Sequence, residues 1–380
     1  MNLLINDGGR VSGDGYAPPP LGLLYVAGDT DTVIIDAVLD DPMPFIKEHR
    51  HELVGVGMYT WGRHEALRLL REAKELGART VAGGHHVAAM TKQLVDNYPF
   101  IDHLVVGDGE LAWKALCEKA DLPRVIKMPV PDLDALPMPA WDKIDWKRYS
   151  PRGWGVQRGI PLGAVPRVSI VLGRGCSGHC SFCSTWWVNG KYRAHGKDWM
   201  ARELDLLWNM GARHLVFQDD CLSADRAATI DLCDVMEGYG FAWFGTTRAD
   251  CLDLDLAQRM RAVGCYELSF GIESGSPAIL KRMHKQVDLA DAFTAREACR
   301  AAGIKFTALM MEGYPGGTAE TAREDRQFRA KLKPDEYGSI GHTGVMPGTA
   351  LYQECKRAGL ITDDFWLGPA DWYIYHGGLE

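Results

Sequence analysis

The 380-residue sequence predicts an α/β protein with a doubly wound, flavodoxin-like or Rossmann-type domain, followed by a partial (β/α)6 barrel of the TIM type. Two observations predict this fold class. Short apolar segments alternate with amphipathic segments along two stretches of the chain, and a proline-rich connector separates the stretches. We expect the first domain over residues 1–117, the connector over 118–165, the barrel over 166–346 and a tail that closes the barrel over 347–380.

The first stretch alternates predicted strands with predicted helices. Residues 64–78 place apolar side chains at helical spacing and reach a terminal glycine, Gly77. Such alternation is typical of a parallel sheet covered by helices on both faces. The predicted strands are short apolar segments at 2–6, 32–38, 53–58, 80–84 and 103–109.

The second stretch repeats the alternation six times. Residues 197–212 and 291–303 are two of the intervening helical segments, and each predicted strand ends in polar or glycine residues. In TIM-type folds the chemistry gathers at the carboxyl ends of the strands, so these ends are where we look for function. The predicted strands cover 167–173, 214–220, 241–247, 266–273, 305–313 and 338–346.

Composition and charge exclude several classes of partner. The formal net charge is −8 and no basic block stands out, so we expect no nucleic-acid binding and no attachment to a membrane surface. No apolar run reaches membrane-spanning length and the first residues do not resemble a signal peptide, which predicts a cytoplasmic protein without a membrane span. Ten scattered cysteines do not form a disulfide framework. We expect inert, mostly buried thiols at Cys117, Cys221, Cys233, Cys251, Cys265, Cys299 and Cys355.

Three cysteines follow the first predicted strand of the second stretch. Cys176, Cys180 and Cys183 have the spacing Cys-x3-Cys-x2-Cys within "GRGCSGHCSFCSTW". Three thiolates on one loop can ligate three irons of a [4Fe–4S] cluster and leave the fourth iron open to a small molecule. The alternative is a zinc site completed by His179 or His195, although zinc sites usually combine paired Cys-x-x-Cys units.

This loop, with Phe182 in the aromatic place before Cys183, resembles the signature of radical S-adenosylmethionine (SAM) enzymes. The resemblance implies a [4Fe–4S] cluster whose open iron chelates SAM, and an external electron donor such as flavodoxin or ferredoxin. Further matches follow at successive strand ends: "FQDD" (217–220), "TTRAD" (246–250), "FGIESGS" (270–276) and "MEGYPGGT" (311–318).

The resemblance assigns these strand ends to parts of SAM. Either Asp219 or Asp220 would meet the methionyl ammonium and Arg248 its carboxylate, which suits a bidentate guanidinium. The alternatives are a helix cap at the two aspartates and an ion pair between Arg248 and Asp250. The implied SAM-binding set is Phe182, Asp219, Asp220, Arg248, Glu273 and Ser274 at the ribose, and Gly313 near the adenine.

The first stretch resembles the cobalamin-binding domain that precedes the radical domain in one large subclass. The matching segments are 17–28, 81–86, 105–110, the connector at 131–142 and, in the tail, 346–361. The sequence lacks the Asp-x-His-x-x-Gly motif, so a histidine from that motif is not expected below the cobalt. The alternatives are core packing for Tyr59–Trp61 and a helix start for the His85–His86 pair. The implied cobalamin contacts are Leu21, Gly22, Tyr59, Thr60, Trp61, Gly83, Gly84, His85, Gly107, Gly109 and Glu110.

Three functions are compatible with these patterns. The first is a methylase: one SAM supplies a methyl group that passes through cobalamin, and a second yields a 5′-deoxyadenosyl radical that abstracts hydrogen from an unactivated carbon. The second is a cyclase or rearrangement enzyme with the same cofactors but without methyl transfer. The third is a cofactor-binding sensor with a vestigial site.

The substrate, a small molecule or a peptide, is not identified by any motif. Its pocket would be formed by Trp186, Trp187, the excursion at 147–165 and the tail. A methylase needs its substrate between the two cofactors, so we expect Tyr59–Trp61 and loop 83–86 to approach the cysteine loop across one shared, largely dry cavity.

Overall fold

The computed structural model describes residues 1–6, 18–49, 51–149 and 167–379. The chain forms two compact units. Unit 1 comprises Met1–Pro166 with Thr362–Asp371, and unit 2 comprises Arg167–Ile361 with Trp372–Glu380. The part of the predicted 147–165 excursion from residue 150 onward lies outside the described residues.

Unit 1 contains a six-stranded sheet in the order β2-β1-β3-β4-β5-β6, and all of its described pairings are parallel. The predicted strand at 103–109 is shorter in the structure, because residues 106–109 turn the chain toward the next helix. The doubly wound fold class is confirmed. The strands are β1 (Asn2–Asn6), β2 (Thr32–Asp36), β3 (Leu53–Gly57), β4 (Arg79–Gly83), β5 (His103–Val105) and β6 (Val125–Ile126).

Helices connect these strands as the alternation predicts. Along α3 the buried positions recur at helical spacing and include Ala66, Leu69, Leu70 and Ala73, so one stripe of the helix faces the sheet. The helices are α1 (Leu21–Ala27), α2 (Pro42–Glu48), α3 (Arg63–Glu75), α4 (His85–Asn97) and α5 (Glu110–Cys117). Three 3-10 turns follow in the connector, at Leu133–Ala135, Trp141–Lys143 and Trp146–Arg148.

The strand order places a topological switch point between β1 and β3. The chain goes from β1 to β2 on one side of β1, and then crosses to β3 on the other side. In open α/β sheets, ligands bind in the crevice beyond the carboxyl ends of the strands at such a point. The loop after β3, which begins at Met58, is therefore one wall of the expected site.

The connector and part of the tail pack within unit 1. The Ala140 N–H donates to the Leu24 carbonyl oxygen over 3.0 Å, and Trp141 is buried. The buried Arg63 guanidinium donates to the carbonyl oxygens of Trp366 and Gly368, at 2.8 and 2.7 Å. Residues 362–371 are thus held on the first unit, whereas we expected the whole tail beside the barrel.

Unit 2 contains a second six-stranded parallel sheet in the order β14-β13-β12-β11-β10-β7. The partial barrel of six βα units is confirmed. A separate antiparallel pair, β8 with β9, lies between the first two strands of the sheet in the sequence. The strands are β7 (Arg167–Ile170), β8 (Gly173–Arg174), β9 (Arg193–Ala194), β10 (His214–Phe217), β11 (Ala242–Thr247), β12 (Cys265–Glu273), β13 (Lys305–Glu312) and β14 (Glu336–His342).

Helices of unit 2 begin at caps that the sequence provides. The Asp225 carboxylate accepts from the Ala228 N–H at the start of α8, and Thr349 does the same for Tyr352 at α13. The helices are α6 (Thr185–Asn189), α7 (Lys197–Asn209), α8 (Arg226–Met236), α9 (Leu254–Ala262), α10 (Pro277–Arg282), α11 (Leu289–Ala302), α12 (Ala319–Leu332) and α13 (Ala350–Arg357). Two further 3-10 turns lie at Ala249–Cys251 and, in the part of the tail that belongs to unit 1, at Asp363–Leu367. In the described part of the chain no helix is long and apolar enough to cross a bilayer.

Candidate functional site

The three-cysteine loop leaves the sheet after β7 and is closed at its base by the β8–β9 pair. Gly175 is the turn into the loop. It has φ +90°, and a Cβ there would lie 2.7 and 2.8 Å from the carbonyl oxygens of Gly190 and Lys191. Only glycine fits so close to the returning backbone, and this turn starts the loop one residue before Cys176.

The three thiols, which we call the cluster-loop cysteines (Cys176, Cys180 and Cys183), are all half-buried. Backbone N–H groups of Gly178 and Thr185 point at the sulfurs of Cys176 and Cys183, at 3.3 and 3.5 Å. Burial raises the pKa of Cys180 and of Cys183, so both thiols hold their protons until a metal replaces them. N–H donors of this kind stabilise the negative charge that a cysteine sulfur carries when it is bound to a metal.

The Arg248 guanidinium joins the cluster loop to a second loop. It forms a two-pronged ion pair with Asp250, at 3.0 and 2.8 Å, and donates to the carbonyl oxygens of Lys285 and Gln286, both at 3.2 Å. A Cβ at Gly178 would lie 2.5 Å from Nη1 of Arg248, so the guanidinium also lies close to the cluster loop. In this structure Asp250 occupies the side of the Arg248 guanidinium that we expected to bind the methionyl carboxylate. Arg248 as a SAM ligand stays a prediction, and it requires that the Asp250 side chain move away.

The second loop, residues 283–286, contains two strained residues. His284 and Gln286 have φ of 52° and 53°, a region that non-glycine residues rarely adopt. The Ser181 N–H, from the cluster loop, donates to the Met283 carbonyl oxygen over 2.8 Å. Arg248 and Ser181 together hold this strained loop against the cluster loop.

Lys285, a residue that the sequence analysis missed, lies at the centre of this arrangement. Its side chain is 6% exposed, and its Nζ is 3.2 Å from the Glu273 carboxylate. Burial raises the pKa of Cys180, and the Lys285 charge opposes this rise. Gly271 leaves room for the pair, since a Cβ there would lie 3.0 Å from Nζ of Lys285. No pattern in the sequence analysis singled out this lysine.

Glu273 and Ser274, the residues assigned to the ribose, have different environments. Glu273 ends β12 with φ 69° and presents its carboxylate beside Lys285. Ser274 is buried, and its hydroxyl donates to Asp325 of α12 over 2.8 Å. Because the Ser274 hydroxyl is used in packing α12, the ribose assignment is better supported for Glu273.

The two aspartates after β10 divide into a buried and an exposed carboxylate. Asp219 is buried and accepts from the backbone N–H groups of Leu172 and Gly173, at 3.0 and 2.7 Å. Burial raises the pKa of Asp219 to about 8. Asp220 is exposed and accepts from Thr185 and Asn189, both at 3.0 Å. Asp219 therefore positions the chain that enters the cluster loop, and Asp220 is the better candidate for the methionyl ammonium.

Aromatic residues surround the cluster loop. Phe182 meets Tyr314 edge to face, with ring centroids 6.3 Å apart, and the Tyr314 hydroxyl hydrogen-bonds with Ser181. Tyr314 follows Gly313, which is exposed and has φ 71°. Trp186 stacks on His179 at 4.6 Å, and Trp187 is 60% exposed. The loop thus carries exposed aromatic surface where we expected the substrate wall.

Two cysteines that we predicted to be inert lie beside the cluster loop. The Cys221 thiol raises the pKa of the Cys176 thiol and lowers the pKa of the Cys251 thiol, so the three sulfurs lie in one neighbourhood. Cys221 is buried, whereas Cys251 is half-buried. Burial is as predicted for Cys221, but neither thiol stands alone, because β10 and β11 both end beside the loop after β7. That strand-end position was the signal that could have identified them.

The donor set fits an iron–sulfur cluster. Each cluster-loop cysteine would ligate a different iron, with N–H donors and two cations close by. Among the described residues, no group of three or more His, Cys, Asp or Glu side chains is arranged around a single metal ion. The His195 ring stacks on Trp199 at 3.5 Å.

The site in unit 1 lies at the switch point. Tyr59 stacks on Trp61 at 5.1 Å and on His85 at 5.7 Å, so three flat rings from the loops after β3 and β4 form one stack. The Tyr59 ring is 37% exposed. An exposed aromatic stack at this position fits a large planar ligand.

The loop after β4 is joined to the loop after β3. Gly84 has φ +103°, and a Cβ there would lie 2.9 Å from the Met58 carbonyl oxygen. His86 is buried and hydrogen-bonds with the Thr60 hydroxyl at 3.2 Å; burial lowers its pKa to about 3. The two adjacent histidines therefore point differently, with His85 in the stack and His86 in the core.

The remaining residues assigned to cobalamin lie at strand ends and helix starts of unit 1. Gly22 is exposed, and a Cβ added there would meet no neighbouring group within 4 Å, whereas Leu21 is buried at the start of α1. Gly109 caps the start of α5, and the buried Glu110 is its first residue. Gly83 is the last residue of β4, and Gly107 lies two positions after the end of β5. The open space at Gly22 and the exposed Tyr59 stack fit a bound corrin. These ligand assignments stay predictions.

Comparison with known proteins identifies both units. Residues 170–328 match the model of the Radical SAM superfamily, and residues 12–117 match that of the B12 binding domain. An uncharacterized methyltransferase, PH0819 of Pyrococcus horikoshii, is 28% identical over 93% of this chain and 82% of its own length. The anaerobic magnesium-protoporphyrin IX monomethyl ester cyclase of Cereibacter sphaeroides is 27% identical over 88% of this chain and 59% of its own length.

A solved structure has the same fold over nearly the whole chain. The radical S-adenosylmethionine methyltransferase TsrM from Kitasatospora setae, with tryptophan substrate and a SAM analogue bound, matches with a TM-score of 0.72 at 19% identity. The match covers 94% of this chain and 76% of TsrM.

The fold and the three-thiol loop define a radical SAM enzyme. Together with its B12-binding domain, the chain has the domain combination of cobalamin-binding radical SAM enzymes, and it is similar to a methyltransferase across both domains. The cofactors that these domains imply are a [4Fe–4S] cluster, SAM and cobalamin.

Proposed function

We propose that this cobalamin-dependent radical SAM enzyme is a methyltransferase that acts on an unactivated carbon. The observation that carries the proposal is the match to a methyltransferase across both domains, over 93% of this chain. Bound together, the three cofactors supply one-electron cleavage of a sulfonium and a transferable methyl group. The protein supplies binding, orientation and exclusion of water.

The residues of unit 2 have distinct roles in this proposal. The cluster-loop cysteines ligate the cluster, Asp220 accepts from the methionyl ammonium, and Glu273 accepts from the ribose. Asp219 and Arg248 position the loops on which these groups lie, through the contacts at Leu172 and Lys285. Glu273 is paired with the buried Lys285 ammonium, and its carboxylate oxygens are hydrogen-bond acceptors of the kind that ribose hydroxyls need.

We propose Trp186 and Trp187 as one wall of the substrate pocket. Two exposed tryptophans beside a cluster loop would cover a flat or apolar part of a small-molecule or peptide substrate. An external one-electron donor of the flavodoxin or ferredoxin type would reduce the cluster, and this donor chemistry agrees with a cytoplasmic location.

The test is a product analysis under anaerobic conditions. The reconstituted protein is incubated with a reductant, with SAM carrying a deuterated methyl group, and with metabolite extracts. A methyltransferase forms S-adenosylhomocysteine and 5′-deoxyadenosine, and transfers the label to a carbon of one extract component. The variant in which all three cluster-loop cysteines are alanine should form neither product, and Cys233→Ala, a buried thiol on α8, is the matched control.

A second candidate is a cyclase without methyl transfer. The similarity to the magnesium-protoporphyrin IX monomethyl ester cyclase favours it, although this chain spans 59% of that protein. Such an enzyme would form 5′-deoxyadenosine without S-adenosylhomocysteine. A vestigial-site sensor would form neither, so the same assay separates all three functions.

A further inference from the structure

The chain turns sharply at Glu273, where β12 ends. The register between β12 and β13 shifts between Gly271 and Glu273, so a β-bulge precedes the turn. Glu273 has φ 69°, and the Ser274 N–H donates to the Ile272 carbonyl oxygen over 2.9 Å. A positive φ beneath a three-residue hydrogen bond is the pattern of the γ-turn that proteins rarely use, because its backbone is strained. The bulge and the turn together set the direction in which the Glu273 side chain leaves the backbone.

Helix α12 holds the residues that follow this turn. The Oδ1 atom of Asp325 accepts from the Ser274 hydroxyl, over 2.8 Å, and from the Gly275 N–H. The Ser276 hydroxyl donates to the carboxylate of Glu324. Both serines are buried, whereas the two carboxylate residues are half-buried. Asp325 thus ties two consecutive residues of the turn segment to the helix.

The turn segment also packs directly on α12. A Cβ added at Gly275 would lie 2.3 Å from Cβ and 2.7 Å from Cγ of Phe328, so only glycine allows this approach of the backbone to the helix. A strained backbone persists where the surrounding structure over-determines it. The contacts to Asp325 and Phe328 begin one residue after Glu273, so the turn cannot relax without breaking them.

We propose that Asp325 is a positioning residue, which holds the strained turn so that the Glu273 carboxylate meets the ribose hydroxyls of SAM. The inference rests on the ribose contact in the proposed function. Asp325 contacts Ser274 and Gly275, and it acts on SAM only through the direction of the Glu273 side chain. It lies 51 positions after Ser274 on a different element, and none of the motifs in the sequence includes it.

The test measures how strongly the full chain, reconstituted with its cofactors, binds two ligands. One is SAM, and the other is its 2′,3′-dideoxy analogue, which lacks both ribose hydroxyls. Calorimetry is performed anaerobically without a reductant, so that SAM is not cleaved. Asp325→Ala removes the acceptor, and Asp325→Asn keeps the oxygen that accepts from the turn segment. Glu320→Ala removes a carboxylate that is 74% exposed on the same helix, and it is the matched control.

We expect Asp325→Ala to bind SAM about 10-fold more weakly and to bind the dideoxy analogue as wild type does, because the lost contact involves only the ribose hydroxyls. Asp325→Asn and Glu320→Ala should bind both ligands like wild type. In hydrogen exchange without ligand, the Gly275 amide should lose protection in Asp325→Ala and keep it in Asp325→Asn. If Asp325→Ala does not fold, Asp325→Glu replaces it. Its carboxylate lies one methylene farther along the side chain, so we expect a smaller loss that is again confined to SAM.

Two outcomes overturn the role of Asp325. One is wild-type SAM affinity in Asp325→Ala, and the other is an equal loss of affinity for both ligands, which would indicate a packing role. The Glu273→Ala variant, measured in parallel, should lose the preference for SAM over the analogue. If Glu273→Ala keeps that preference, or if wild-type protein binds no iron and sulfide, the proposed function is wrong at the ribose contact or at the cluster, and the inference fails with it. These readouts distinguish a failure at Asp325 from a failure of the proposed function.

Discussion

Replacing Lys285 with methionine should weaken the fold around β12, because it leaves a buried carboxylate without its cation. The two charged groups are 3.2 Å apart, with 6% of the lysine side chain and 14% of the Glu273 side chain exposed. Breaking a buried ion pair by removing one partner typically costs about 3–5 kcal/mol. Because Glu273 keeps some contact with water, we expect the lower end, about 3 kcal/mol, or roughly a 100-fold change in a local opening equilibrium.

Native-state hydrogen exchange measures this change locally, which avoids treating two units as one cooperative transition. Protection of amides in β12 and in residues 283–286 should fall by about 100-fold in Lys285→Met. The double variant Glu273→Gln/Lys285→Met, which has no unpaired charge, should recover most of the lost protection. Lys197→Met is the matched control, since its pair with Asp234 is 48% and 41% exposed, and it should change protection by no more than about fivefold.

The double variant makes the reasoning refutable. If it is as weakly protected as Lys285→Met, the lysine acts through packing of its chain rather than through charge. If Lys285→Met is no weaker than the Lys197→Met control, the pair contributes no net stability, and the strained loop at 283–286 is held by Arg248 and Ser181 alone.

Four further predictions follow from the two sites. Changing all three cluster-loop cysteines to alanine should abolish bound iron and sulfide and the visible absorbance of the anaerobically reconstituted protein; retention of wild-type iron would refute the ligand assignment. Gly22→Ala meets no neighbouring group within 4 Å and lies in helix α1, where alanine is favoured over glycine by roughly 0.5–1 kcal/mol, so it should not lower the melting temperature but should weaken cobalamin retention; unchanged retention would remove Gly22 from the binding site. Burial raises the pKa of Asp219 from 3.8 to about 8, so between these pH values the folded protein binds a proton that the unfolded chain has released. The free energy of unfolding should therefore fall as pH rises from about 4 to about 8. Melting temperatures of the Asp219→Asn variant, plotted against pH, should lack this slope. Arg63→Met removes a buried donor to three carbonyl oxygens of the tail, and each such hydrogen bond contributes about 1.5–3 kcal/mol. In native-state hydrogen exchange, amides of residues 362–371 should therefore exchange faster, whereas those of β12 should not change.

The sequence by itself determined the fold class and the kind of chemistry. Strands and helices follow from apolar spacing within ten to fifteen residues, which is local information, and parallel sheets place all strand ends on one side. The cluster-loop cysteines are close together in the chain, so their spacing alone predicted a shared ligand. Family resemblance then named the cofactors, and the family comparisons agree with it.

The tertiary structure decided which side chains face the site and which ones support it. Asp219 and Asp220 are adjacent in the sequence, yet one is buried under the backbone of residues 172–173 and the other is exposed. Lys285 lies between two residues with left-handed backbone conformation, His284 and Gln286, and its ammonium pairs with Glu273, which is 12 positions earlier in the chain.

Long-range contacts explain why the rest could not be predicted. Cys221 lies 45 positions after Cys176, and the tail at 362–371 lies about 300 positions after Arg63, so no local pattern relates them. Their proximity depends on how helices pack on the sheet and on which strands become neighbours. Those choices minimise the free energy of the whole fold rather than of any segment, and for that reason the periodicity of one stretch does not reveal them.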